Sequence, residues 1–71
     1  MTASVLWVWL TDMPDGTEGI VTAEIPGFGF APLVTVQLAN VEFLEEIAEE
    51  IRRMSGKQIS RVLFQRVEDP P

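Results

Sequence analysis

Residues 5–10 read Val-Leu-Trp-Val-Trp-Leu, and every position in the stretch is apolar. Side chains alternate between the two faces of a strand, so Leu6, Val8 and Leu10 point one way and Val5, Trp7 and Trp9 the other. A strand on the surface of a sheet would alternate with polar residues. One that is apolar on both faces belongs at the centre of a sheet and needs a cover on each side.

Downstream, residues 11–19 carry Pro14-Asp15-Gly16, in which proline presets φ and glycine accepts a positive φ, so a hairpin is expected there. Residues 20–25 alternate as a second strand, with Val21, Ala23 and Ile25 on one face and Ile20, Thr22 and Glu24 on the other. Residues 26–32, Pro-Gly-Phe-Gly-Phe-Ala-Pro, read as a loop, because both prolines lack a donor and the glycines weaken pairing. Residues 33–38 form a third strand, with Val34, Val36 and Leu38 opposed to Leu33, Thr35 and Gln37.

Asn40 is a candidate N-cap for a helix over residues 41–55. At the helical period, Val41, Phe43, Leu44, Ile47, Ala48, Ile51 and Met54 share one face, an arc of about 160°. Glu42, Glu45, Glu46, Glu49, Glu50, Arg52 and Arg53 take the other, and Gly56 supplies the stop. Residues 59–67 are a fourth strand, apolar on both faces near Val62, Leu63 and Phe64, and residues 68–71 are a short acidic, proline-ending tail.

The expectation is a single α+β domain over residues 1–71, ordered β-β-β-α-β, with a mainly antiparallel four-stranded sheet in the order 3-2-1-4. One amphipathic helix covers one face, and the last strand lies parallel to the first. Thr22, Glu24 and Gln37 share the face of the tryptophans, so the aliphatic set Leu6, Val8, Leu10, Val21, Ala23, Ile25, Val34, Val36 and Leu38 is assigned to the helix. Trp7, Trp9, Ile20, Thr22, Leu33 and Thr35 are then left as a patch for a partner or an oligomer. The reverse assignment would bury both tryptophans. Phe28 and Phe30 either plug the end of the core, the favoured reading, or serve as mobile anchors.

Chemistry is limited by composition. The chain has no histidine, cysteine or tyrosine and a single lysine, Lys57. No disulfide, metal site, cofactor or catalytic residue is therefore expected, and no enzyme. Residues 1–51 hold nine acids and no base, whereas residues 52–71 hold five bases and two acids, for a net charge of −6. Such a balance disfavours direct nucleic-acid binding and suits a basic protein surface. Glu42, Glu45, Glu46, Glu49 and Glu50 form an acidic helix face that imitates phosphates or, as the favoured reading, is simply solvated.

The initial apolar run is shorter than the about 20 residues that span a bilayer and lacks the flanks of a signal peptide, so a soluble, unexported protein is expected. Its compartment would be the cytoplasm, that of the host if the gene belongs to a phage. A 71-residue core supplies only about 3–5 kcal/mol, which makes dimerisation or partner binding a natural supplement. The functional expectation is a non-enzymatic protein-binding module, of the type of phage or bacterial accessory proteins that inhibit host defence by occluding a protein, through the aromatic sheet face or the acidic helix. The alternative is a structural homo-oligomer whose sheet faces pack together.

Overall fold

The computed structural model describes residues 4–67. The tail expected at residues 68–71 lies outside the described residues. Its elements are β1 (Val5–Asp12), β2 (Glu18–Ile20), β3 (Thr22–Ile25), β4 (Gly29–Pro32), β5 (Val34–Thr35), a 3₁₀ turn (Leu38–Asn40), α1 (Val41–Ser55) and β6 (Ile59–Gln65). The class is the expected one: a small α+β domain with one helix and mainly antiparallel strands.

β1 is the central strand. β6 runs antiparallel along one of its edges, from Val5 opposite Gln65 to Thr11 opposite Ile59. The other edge is shared, with β2 pairing residues 10–12 and β5 pairing Trp7 and Val8, both antiparallel. β2 and β5 are thus two halves of one interrupted strand. Between them the chain leaves the sheet as the β3–β4 hairpin, which forms a separate two-stranded sheet.

Three backbones close the branch point. The Trp9 N–H donates to the Leu33 carbonyl (3.1 Å), the Leu33 N–H to the Val21 carbonyl (2.8 Å), and the Val21 N–H to the Trp9 carbonyl (2.9 Å). All three residues are buried, so each of these polar groups needs a protein partner, and the cycle provides one.

This branch corrects the expected strand order and orientation. The order 3-2-1-4 requires the third strand to lie outside the second, but residues 34–35 continue the second strand's path along β1. The supposed three-strand meander contains one reversal fewer, and the last strand therefore runs antiparallel to the first rather than parallel. The segment 26–32 is likewise more ordered than a loop. Pro26 and Gly27 occupy the centre of a β-turn closed by the Phe28 N–H on the Ile25 carbonyl (2.9 Å), with Gly27 at φ 87° as a type II turn requires. Residues 29–32 then pair with β3, and Pro32 sits at the end of the ladder, where the missing donor matters least.

The helix occupies the expected residues and ends at Gly56, whose φ of 72° is left-handed and whose N–H caps the Arg52 carbonyl. Asn40 makes no side-chain cap. Its amide instead donates to Gln37 Oε1 (3.2 Å) across the 3₁₀ turn that leads into the helix.

Which face the helix covers is the larger correction. Trp9, Leu33, Val21, Ile25 and Ile59 form one core with Val41, Leu44 and Ala48 of α1, and Trp7, Ala23 and Ala31 pack against it. The tryptophan face lies under the helix. The aliphatic face of Leu6, Val8 and Leu10 is the one left without a cover among the described residues. A one-residue offset produced the error. Leu10 stands opposite Ile20, so these two share a face, and Val21, Ala23 and Ile25 fall on the tryptophan side.

Candidate protein-binding surface

The ladder registers define the uncovered face. Leu6 is opposite Phe64, Val8 is flanked by Val34 and Val62, and Leu10 by Ile20 and Ser60. Cross-strand partners point to the same side, so these residues make one continuous surface whose only polar member is Ser60. Val8, at its centre between Val34 and Val62, is 3% exposed. Ile20, Val36 and Phe64 are each about half exposed. Leu6, Val36 and Phe64, together with the polar Ser4, Gln65 and Arg66, line a cleft of about 310 Å³ at one end.

At the opposite end of this face the chemistry changes. Asp12 stands directly across from Glu18, two residues beyond Leu10 and Ile20 and hence on the same side. Both are exposed, and neither enters an ion pair among the described residues. Like charges directly opposed in a ladder are destabilising, so this end of the face carries an electrostatic cost in the free protein.

The helix acids divide into two groups. Glu45 is half-buried: its carboxylate accepts the Trp9 indole N–H (Oε2, 2.7 Å), takes an Arg52 N–H (Oε1, 2.8 Å) and lies 3.8 Å from Arg61. Burial by itself pushes its carboxyl up, but the Trp9 and Arg52 hydrogen bonds and the two arginine charges outweigh this and hold it below the ordinary glutamate value. Glu49 pairs with Arg52, and Glu50 with Arg53. Arg52 also donates from Nε (3.1 Å) and Nη2 (2.7 Å) to the Ile59 carbonyl, and its bond to Glu45 keeps its own ionisation above the usual guanidinium range. Only Glu42 and Glu46 of the five lack an ion pair among the described residues. Three of the five carboxylates, Glu45, Glu49 and Glu50, are thus partnered by arginines within the fold.

Of the residues expected to bind a partner, Trp9 and Leu33 are fully buried, and Trp7 and Thr35 are partly so. They belong to the core and its margin, because the helix covers them. Ile20 remains on a surface, but on the aliphatic one. Thr22 is exposed on the outer side of the β3–β4 hairpin. Phe28 and Phe30, at 82% and 76% exposure, do not plug the core; the type II turn carries them to the hairpin tip, where Phe28 overhangs a cleft of about 250 Å³ beside Phe43 and Leu44.

No family model matches this chain, and no curated protein or solved structure is detectably similar to it. No helix among the described residues is long and apolar enough to cross a membrane.

The residues that sequence reasoning missed as a surface are Leu6, Leu10, Val34, Val36, Val62 and Phe64, with Asp12 and Glu18. One signal in the sequence places Ile20 on the face of Leu6 and Leu10, without saying which face stays open. A three-residue loop at Pro14-Asp15-Gly16 pairs Met13 with Thr17, as observed from the Met13 N–H on the Thr17 carbonyl (2.7 Å), and counting back sets Leu10 opposite Ile20.

Proposed function

We propose that this protein is a non-enzymatic binding domain that docks a protein partner on the open aliphatic face of its sheet. The observation that carries this reading is the apolar surface of Leu6, Leu10, Ile20, Val36 and Phe64, broken only by Ser60 and ending in Asp12 and Glu18, which enter no ion pair among the described residues. Contiguous exposed apolar surface on a small protein marks an interaction site, and the acidic end adds a preference for a partner with a basic group beside its own apolar patch. A net charge of −6 favours the same encounter at long range.

Covering a partner's apolar patch is a stoichiometric, occluding action. It is the mode anticipated for a small accessory inhibitor, and it asks for no reactive side chain. The absence of histidine, cysteine and tyrosine from the chain fits that role. The best-held carboxylate, Glu45, is committed to Trp9 and Arg52 rather than aimed into a cleft.

The test compares three baits in an extract of the native host: the unaltered protein, an Ile20→Lys/Phe64→Lys variant, and a Glu42→Lys/Glu46→Lys variant, each checked for unchanged circular dichroism. The partner is expected on the unaltered and helix-altered baits and absent from the sheet-altered one. Capture that survives the sheet substitutions, or is abolished only by those in the helix, overturns the reading.

A further inference from the structure

β6 is an edge strand, and its hydrogen-bonding inventory is unusually specific. The Arg66 N–H donates inward to the Ser4 carbonyl at 2.8 Å, and the β1–β6 register is constant from Val5–Gln65 to Thr11–Ile59. Backbone groups in an antiparallel ladder alternate in direction, so Ser60, Val62 and Phe64 turn theirs toward β1 while Ile59, Arg61, Leu63 and Gln65 turn theirs outward. The Ile59 carbonyl is already taken by the Arg52 guanidinium. The remaining outward groups, at Arg61, Leu63 and Gln65, have no strand beside them among the described residues.

Natural sheets protect such edges with proline, bulges, charge or a covering element. Residues 61–65, Arg-Val-Leu-Phe-Gln, contain no proline or glycine and one charge, and the ladder has no bulge there. Leu63 is 55% exposed and Phe64 is nearly as open. The segment is an unprotected template for another strand.

We infer that the occupant is a second copy of this chain, paired antiparallel β6 to β6 across a two-fold axis at Leu63, which would join the two sheets into one. Symmetry selects that register. The residues with both outward groups free are centred on Leu63, so a two-fold there pairs Leu63 with Leu63 of the second copy and Arg61 with Gln65, using both groups of all three residues and no occupied one. Moving the axis to Val62 would bring the Ile59 carbonyl, held by Arg52, into the ladder. Moving it to Phe64 would ask for Val67, which lies beyond the end of β6.

Side chains agree with this register. Val62 falls opposite Phe64 of the second copy, a β-branched residue against an aromatic one, and no arginine faces an arginine. The pairing extends beyond the partner-docking reading and does not depend on it. It leaves the open face available and makes the two copies' faces contiguous.

The cysteine-free sequence permits a clean test. Single-cysteine variants Leu63→Cys and Arg61→Cys are oxidised under identical conditions, and the unaltered protein and Leu63→Pro are weighed by light scattering over a hundredfold concentration range. Cα atoms of a directly opposed pair lie about 5.5 Å apart, within disulfide reach, while Arg61 and its own symmetry mate are about 14 Å apart. Leu63→Cys is expected to form covalent dimer at least tenfold faster than Arg61→Cys. The unaltered protein is expected to reach twice the chain mass, and Leu63→Pro, which removes only an outward donor, to remain folded at the chain mass. A monomer at every concentration overturns the inference, as does equal cross-linking at both positions or a Leu63→Pro variant that still dimerises. Should Leu63→Pro fail to fold, the cross-linking ratio decides alone. The Ile20→Lys/Phe64→Lys capture result is read separately, on Leu63→Pro protein or on monomeric fractions, so that loss of docking and loss of dimer are distinguished.

Discussion

The indole N–H of Trp9 donates to Glu45 Oε2 at 2.7 Å, tying the most deeply buried side chain of the sheet to the middle of the helix across 36 residues of sequence. Trp9 lies at the centre of β1, where a bare indole N–H would be sealed from water. Its partner is held in turn by Arg52, which also grips the Ile59 carbonyl, so sheet, helix and β6 meet in one polar chain.

Removing that acceptor should orphan the indole. Glu45→Ala is expected to cost about 1–3 kcal/mol, and Glu45→Gln, which keeps a carbonyl acceptor, less. In a Trp9→Phe background the same Glu45→Ala change should cost less, since no buried donor remains to be stranded. Urea unfolding of the four proteins measures the coupling; equal costs in both backgrounds would contradict the assignment.

Acid should find the same contact. Glu45 is held below the ordinary glutamate value of 4.5, so the unfolded chain takes up this proton before the folded one does. Its contribution to stability is complete above that value and is lost as pH falls through the lower folded one. Asp15, lowered by the side-chain and backbone hydrogen bonds of Thr17, acts with the same sign from an ordinary value of 3.8. Urea midpoints measured from neutral pH to about pH 3 should fall more shallowly in Glu45→Gln than in the unaltered protein.

Asp12 and Glu18 should trade stability against binding. Because they oppose one another across the ladder, Glu18→Gln is expected to stabilise the fold by about 0.2–1 kcal/mol at low salt, an effect that shrinks as salt is added. The same substitution should weaken capture of a basic-flanked partner. A destabilised Glu18→Gln protein would show that the two carboxylates are not in conflict.

Phe28 and Phe30 should be dispensable for folding. With both rings exposed on the β3–β4 turn, Phe28→Ser and Phe30→Ser are each expected to change stability by no more than about 0.5 kcal/mol in thermal or urea unfolding. A loss several times larger would restore them to the core. Gly27→Ala in the same turn should cost about 1–2 kcal/mol, because at φ 87° a side chain is strained although a Cβ would meet nothing within 4 Å.

The sequence by itself determined the elements that depend on local order. The 3.6-residue period and Gly56 set the helix at residues 41–55, the apolar run at 5–10 marked the central strand, and Pro14-Asp15-Gly16 placed the first hairpin. It also sorted Trp7, Trp9, Leu33 and Thr35 onto one face and Leu6, Val8, Leu10, Val34 and Val36 onto the other. Only the tertiary structure decided which of those faces the helix covers, because alternation divides a strand into two sides without saying which is inward. That choice rests on contacts between distant residues: the Trp9–Glu45 bond, and the ring of backbone bonds joining Trp9, Val21 and Leu33. The same ring ejects the β3–β4 hairpin, removes one reversal from the path, and turns β6 antiparallel to β1. No local pattern encodes a hydrogen bond between residues 9 and 33, so sheet branching, strand order and the identity of the open face become legible only once the chain has closed on itself.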